Sequence, residues 1–202
     1  MPRIRSYETR DRSDVYSVCV RTGGSGADAT GAFGSDDLLP DVFVGPYLHQ
    51  EPELAWVVDA GGRVAGYLVA TADFGAFLER YRAEWLPGFA ARYPLSPAPL
   101  TPEQRLVAWA HDPPAPDLDV SRHFPAQLHI DLLPELQGKG YGRMLIRILI
   151  AELRERGIGG VHLGVDGRNT GARAFYARLG FLPLGTDPHG GEVFGIRTDA
   201  SV

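Results

Sequence analysis

Between Leu133 and Leu145 the chain reads Pro134-Glu135-Leu136-Gln137-Gly138-Lys139-Gly140-Tyr141-Gly142-Arg143-Met144, with three glycines in five residues. Ahead of this segment Leu128, Ile130 and Leu132 alternate with Gln127, His129 and Asp131, a period of two that predicts a strand over 124–133. Behind it Leu145, Leu149 and Leu153, with Ile146 and Ile148, make an apolar helical stripe that Gly157 ends. Strand, glycine-rich turn and helix in that order put main-chain N–H groups at a helix N-terminus. There the N–H groups and the helix dipole together suit a diphosphate, and glycine lets the backbone approach without a Cβ in the way. The segment is not a P-loop, because no Gly-Lys-Ser/Thr follows a first glycine at the required distance. It also fails the dinucleotide fingerprint, since Arg143 takes the last glycine position. Taken alone, the same glycines equally serve a plain tight turn.

The rest of the chain supports an α/β class. Residues 4–7 read as a short strand, and Asp11 as the N-cap of a helix carrying Val15, Val18 and Cys19 on one side. The Gly-, Ala- and Asp-rich stretch 22–40 reads as a connecting loop. Apolar runs at 54–58 and 64–70 flank a Gly-rich turn and predict a hairpin. Residues 73–111 carry Phe74, Phe77, Leu78 and Tyr81, then Leu106, Val107 and Trp109 after Thr101-Pro102, at helical intervals. That spacing predicts two helical segments separated by the proline-rich turn 93–102, and a second proline-rich stretch at 111–119 reads as a surface connection. Val161, Leu163 and Val165 mark another strand; Ala172, Phe175, Tyr176 and Leu179 mark a helix before Gly180, and 181–184 with 193–197 predict a closing hairpin.

Composition narrows the function. At 202 residues and 44% hydrophobic content, the chain can bury the core of one domain spanning 1–202. A net charge of −5 lacks the positive field that nucleic acid demands. The one cysteine, Cys19, forms no internal disulfide, and no cysteines are spaced as metal ligands, so a reducing compartment and no metal are expected. No apolar block reaches the length of a signal segment or a membrane span. The expectation is a soluble, cytoplasmic chain without membrane or nucleic-acid partners; nothing in the sequence fixes an oligomeric state.

Gln137, Gly140 and Gly142 occupy the defining positions of the Q/R-x-x-G-x-G/A signature, and the chain thereby resembles the GNAT superfamily of N-acetyltransferases. Leu132-Leu133-Pro134 resembles that family's strand end, while Asn169, Ala172, Phe175, Tyr176 and Gly180-Phe181 resemble its N-x-x-A-x-x-F-Y-x-x-x-G-F pattern. The joint match covers 124–184 and is far more specific than a lone glycine motif. Residues 28–48, the proline-punctuated helical insert and residues 175–181 are also similar to the acetyltransferase-like domain of eukaryotic O-GlcNAc hydrolases and its free-standing bacterial relatives. The eukaryotic domains depart from the cofactor-binding pattern, whereas this chain keeps the whole loop.

The resemblance implies a mixed, mainly antiparallel central sheet flanked by helices and splayed between strands 4 and 5. A helical insert would occupy about 73–120 and a cofactor-binding core about 124–184. It implies acetyl transfer from acetyl-CoA to a primary amine, on a small molecule or a protein lysine. Gln137, Gly138, Lys139, Gly140, Tyr141, Gly142 and Arg143 would hold the pyrophosphate, Leu132 and Leu133 would pair through their backbones with the pantetheine arm, and Asn169 would bind that arm or cap its own helix. Tyr176 would stand near the thioester sulfur as general acid, the alternative being a packed helix tyrosine. For the general base, His129 and Asp131 share the polar side of their strand. The position most often catalytic in the family holds Leu128, so a water relay or an already neutral amine also serves, and a non-catalytic acetyl-CoA sensor or interaction module is the competing reading. Asp166, with His162 on the same side of the next strand, is a further candidate for amine binding, set against an ordinary capping or solvated carboxylate.

Overall fold

A computed structural model of the protein describes residues 2–98, 100–115, 117–187 and 190–202. Strand β1 (Arg3–Ser6) leads through a short 3-10 turn into helix α1 (Arg12–Thr22). Asp11 does not cap α1 through its side chain. Its carboxylate accepts the Glu8 N–H at 2.9 Å and grips the Arg5 guanidinium at 2.6 and 2.8 Å. A two-pronged charged pair outcompetes a single cap bond.

The stretch expected as loop holds its irregular course only to Asp37; helices α2 (Leu38–Phe43) and α3 (Gly45–Gln50) follow. Each is six residues long, too short for a helical period to show in sequence. The predicted hairpin forms as β2 (Ala55–Asp59) and β3 (Val64–Thr71). In the insert, α4 (Phe74–Arg80) is capped by Asp73, which accepts the Ala76 N–H at 3.0 Å, and a π turn over Tyr81–Trp85 joins it to α5 (Leu86–Arg92). Pro87 sits at the start of α5, where its missing N–H costs little. Helix α6 (Pro102–His111) opens on a capping box between Thr101 and Gln104. Helix α7 (Leu118–His123) takes in Leu118 and Asp119 from the second proline-rich stretch. Pro99 and Pro116 of the two proline-rich stretches lie outside the described residues.

The second half runs β4 (Ala126–Leu132), α8 (Tyr141–Glu155), β5 (Gly160–Val165), α9 (Thr170–Arg178), β6 (Leu182–Thr186) and β7 (Glu192–Arg197). The seven strands make one sheet in the order β1-β2-β3-β4-β5-β7-β6. All neighbours are antiparallel except β4 and β5. Those two pair only at Ala126–Val161 and Gln127–His162, then part. Antiparallel pairing alternates, and the Leu133 N–H reaches Ala65 O across from β3. Tyr67–Asp131 and Val69–His129 follow in the same register, so the backbone groups of Leu128, Ile130 and Leu132 face the gap. The result is the expected mixed, mainly antiparallel sheet, splayed between β4 and β5.

The α8 stripe buries Leu145, Ile146, Leu149 and Leu153 completely. Each such side chain contributes roughly 1.5–3 kcal/mol. A smaller cluster of Leu38, Val42, Phe89, Val107 and Ala110 seats the insert on α2 and shares Phe33, Phe43 and Leu106 with the main core. Buried Asp41 ties the same elements together, accepting from Tyr16 Oη (2.9 Å) and Tyr93 Oη (3.2 Å) and pairing with Arg92 (2.8 Å).

Candidate active site

At the N-terminus of α8 the Gln137 N–H donates to Pro134 O at 3.2 Å and the Met144 N–H to Gly140 O at 3.0 Å. Between them, among the described residues, no main-chain N–H of 138–143 makes a well-formed hydrogen bond to a main-chain carbonyl. Gly138 (φ +71°) and Gly140 (φ +87°) hold this open turn in the left-handed region, and a Cβ at either would point into open space. The Gln137 carboxamide donates to Leu132 O at 2.9 Å and so pins the loop to the end of β4. A Cβ at Gly142 would lie 2.9 Å from Phe175 Cζ, so glycine there is what lets α9 close on the first turn of α8. Lys139, the chain's one lysine, is exposed in the loop, as are Gln137 and Arg143; Tyr141 Oη donates to Pro2 O at 3.2 Å. Both main-chain groups of Leu133 are committed inside the protein, the N–H to Ala65 O and the carbonyl to the Leu136 N–H, each at 2.9 Å.

Where β4 and β5 part, a cavity of about 1000 Å³ opens between these strands, the end of α1, helices α2 and α3 and the insert. His129 and Asp131 both line it, with 31% and 24% of their side chains exposed. Opposite Asp131 on β3 stands Tyr67, fully buried. Its hydroxyl donates to Asp131 Oδ2 at 2.7 Å and lies 3.1 Å from His129 Nδ1, which is 3.8 Å from the same carboxylate oxygen. Burial raises the Asp131 pKa above 3.8; the His129 charge and the Tyr67 hydrogen bond oppose the rise. Burial and the nearby Asp131 charge likewise push the Cys19 thiol up, leaving it a protonated part of the floor.

Residues 28–181 match the family model described as "Acetyltransferase (GNAT) family". This chain belongs to the GNAT family. The crystal structure of SsHAT is similar over nearly all of both chains, 98% of this one and 99% of that one, at 42% identity and a TM-score of 0.91. Protein O-GlcNAcase of Rattus norvegicus is 22% identical over 186 residues, 90% of this chain and 20% of that protein. Mycothiol acetyltransferase of Nocardia farcinica (strain IFM 10152) is 37% identical over 90 residues, 39% of this chain and 29% of that enzyme. The matches span about a fifth and under a third of the lengths of these two curated relatives.

In this GNAT fold Tyr176 is buried among Phe175 and Phe181, each 5.2 Å away between ring centres, with Phe194 behind. It lines the cavity, and among the described residues its hydroxyl has no hydrogen-bond partner. Burial, helped by the Asp131 charge, keeps that hydroxyl protonated at neutral pH. Asn169 caps α9 by accepting the Ala172 N–H at 3.0 Å and also lines the cavity. Leu128 is sealed in the core.

His162 donates from Nδ1 to Phe124 O at 2.7 Å, and burial lowers its pKa, which leaves it neutral. Asp166 is held well below the ordinary carboxylate range by Arg168, and it accepts from Ser25 Oγ at 2.9 Å. It ties the loop after α1 to the β5–α9 connection at the cavity edge. Among the described residues no cluster of His, Cys, Asp and Glu is placed to hold a metal ion, and no helix is long and apolar enough to cross a membrane. Sequence reasoning missed Tyr67 because it sits in an apolar run; only the β3–β4 register puts it opposite an acid. It missed Phe43 because α2 gave no period.

Proposed function

We propose that this GNAT protein transfers the acetyl group of acetyl-CoA to a primary amine. The carrying observation is the juxtaposition of two features: N–H groups of 138–143 left open at the start of α8, and the parted strands whose cavity Asp131 and Tyr176 both line. The residues fit the cofactor. The glycine-shaped turn offers convergent donors to a diphosphate, with Lys139 and Arg143 adding charge. Of the two strand-end residues, Leu132 faces the gap, joined by Ile130, and their backbone groups would pair with the pantetheine arm; Asn169 lines the same cavity as Ile130. Bound there, acetyl-CoA supplies an activated acyl carbonyl.

Aminolysis needs a neutral amine and a proton for the departing sulfur. Asp131, made basic by burial and oriented by Tyr67 and His129, takes one proton from an entering ammonium. Tyr176 gives its hydroxyl proton to sulfur as the carbon–sulfur bond breaks and the carbon–nitrogen bond forms, and the proton shed by nitrogen restores the phenol. Leu128 is no obstacle, because the carboxylate comes from Asp131, three positions further along and on the opposite side of β4.

Calorimetry with acetyl-CoA and thiol release across a panel of amines test the reading. Saturable binding with amine-dependent thiol release is expected. A folded protein that does not bind acetyl-CoA overturns it, and tight binding with no turnover for any amine supports the sensor instead.

A further inference from the structure

The wall that leads to Asp131 is aromatic. Trp109 of the insert lies 5.6 Å from Phe43 of α2 between ring centres, and Phe43 stacks on His129 at the same distance and 12°. His129 in turn adjoins the Asp131 carboxylate. Phe43, Trp109 and His129 are each only partly buried and all line the cavity, so ring faces and edges are presented to whatever occupies it. Rings so disposed favour offset or edge-on contact with another ring, and their faces attract a cation.

The other carboxylates of the cavity wall are otherwise engaged: Asp166 with Arg168 and Ser25, Asp117 with the Asp119 N–H as cap of α7, and Asp187 with the Gly191 N–H. Among the described residues Asp131 is the carboxylate that adjoins the end of the aromatic wall, which suits one amine on an apolar body, not a polyamine. The insert walls the acceptor side of the cavity through Trp109 and residues 113–115. Such concavity suits a small molecule better than a protein surface.

Building on the acetyltransferase reading, we infer that the acceptor is an arylalkylamine, a primary amine joined by a short linker to an aromatic ring. Its nitrogen sits at Asp131 and its ring against Phe43 and Trp109.

The test is thiol release by the intact protein with acetyl-CoA and 2-phenylethylamine, tryptamine, n-hexylamine, spermidine or a lysine peptide. The aryl amines are expected to exceed n-hexylamine in kcat/KM by about tenfold. Phe43→Leu and Trp109→Leu should each raise KM for 2-phenylethylamine more than they lower kcat, with acetyl-CoA affinity serving as the check on folding. Preference for hexylamine, spermidine or the peptide overturns the inference and leaves the acetyltransferase standing, as does an unmoved KM in both variants. If no amine is turned over, calorimetry of 2-phenylethylamine against the acetyl-CoA-loaded protein decides: binding weakened by Trp109→Leu upholds the aryl site, and no binding overturns it. Failure to bind acetyl-CoA at all sinks the acetyltransferase reading itself.

Discussion

Asp131 carries opposite demands from folding and from chemistry. Burial disfavours its charge, so its folded pKa lies above 3.8, and the stability tied to this group is present below that value and lost as pH rises through the raised one. In the proposed reaction the same shift makes it a better base, active only once ionised. Amine acetylation should therefore rise along a limb displaced above the ordinary carboxylate range. Asp131→Asn should abolish that limb and cut kcat/KM by about 10²–10⁴-fold while raising Tm at neutral pH, checked by pH–rate profiles and thermal melts. Tyr67→Phe removes a hydrogen bond that lowers the Asp131 pKa, so the limb should move to higher pH with activity retained at its plateau. Tyr176→Phe should lower kcat with little change in acetyl-CoA affinity, because in the proposed reaction its hydroxyl proton matters only as the thiolate leaves. At this scale the alternation of β4 sufficed to put His129 and Asp131 on one side. Tyr67 was illegible because its partner lies 64 residues away in sequence.

Among elements, the turn into α8 was the most legible, since a strand period, clustered glycines and a helical stripe all converge on it. The glycines differ in what they do there. Gly140 supplies a left-handed backbone with open space beyond its Cβ, so Gly140→Ala meets only conformational strain, about 1–2 kcal/mol. Gly142 is instead a packing glycine against Phe175. Gly142→Val should displace α9 and with it Asn169 and Tyr176, weakening acetyl-CoA binding by about tenfold or more on calorimetry and lowering Tm, whereas Lys139→Ala, at an exposed charge, should cost less than about 1 kcal/mol of binding. What the periodicities could not show were α2 and α3, too short for a period, and the role of Asp11, whose competition between a helix cap and Arg5 is settled by a tertiary contact.

Over the whole molecule, the insert and the sheet share a core through Phe33, Phe43 and Leu106, and Asp41 bonds to α1 on one side and α5 with its flank on the other. A structure joined this way should unfold as one cooperative unit, as the single-domain expectation requires. Acetyl-CoA at a hundred times its Kd stabilises the state that binds it by about 2.7 kcal/mol, and for a chain of this size each kcal/mol moves Tm by about 2–4 °C. Calorimetric scans should therefore show one transition that shifts upward as a whole, by about 5–10 °C, as acetyl-CoA is added. Two transitions, only the later one moving with ligand, would mean that the insert melts independently of the sheet. Trp109 would then belong to an element able to leave the cavity while Phe43, His129 and the cofactor site stayed folded.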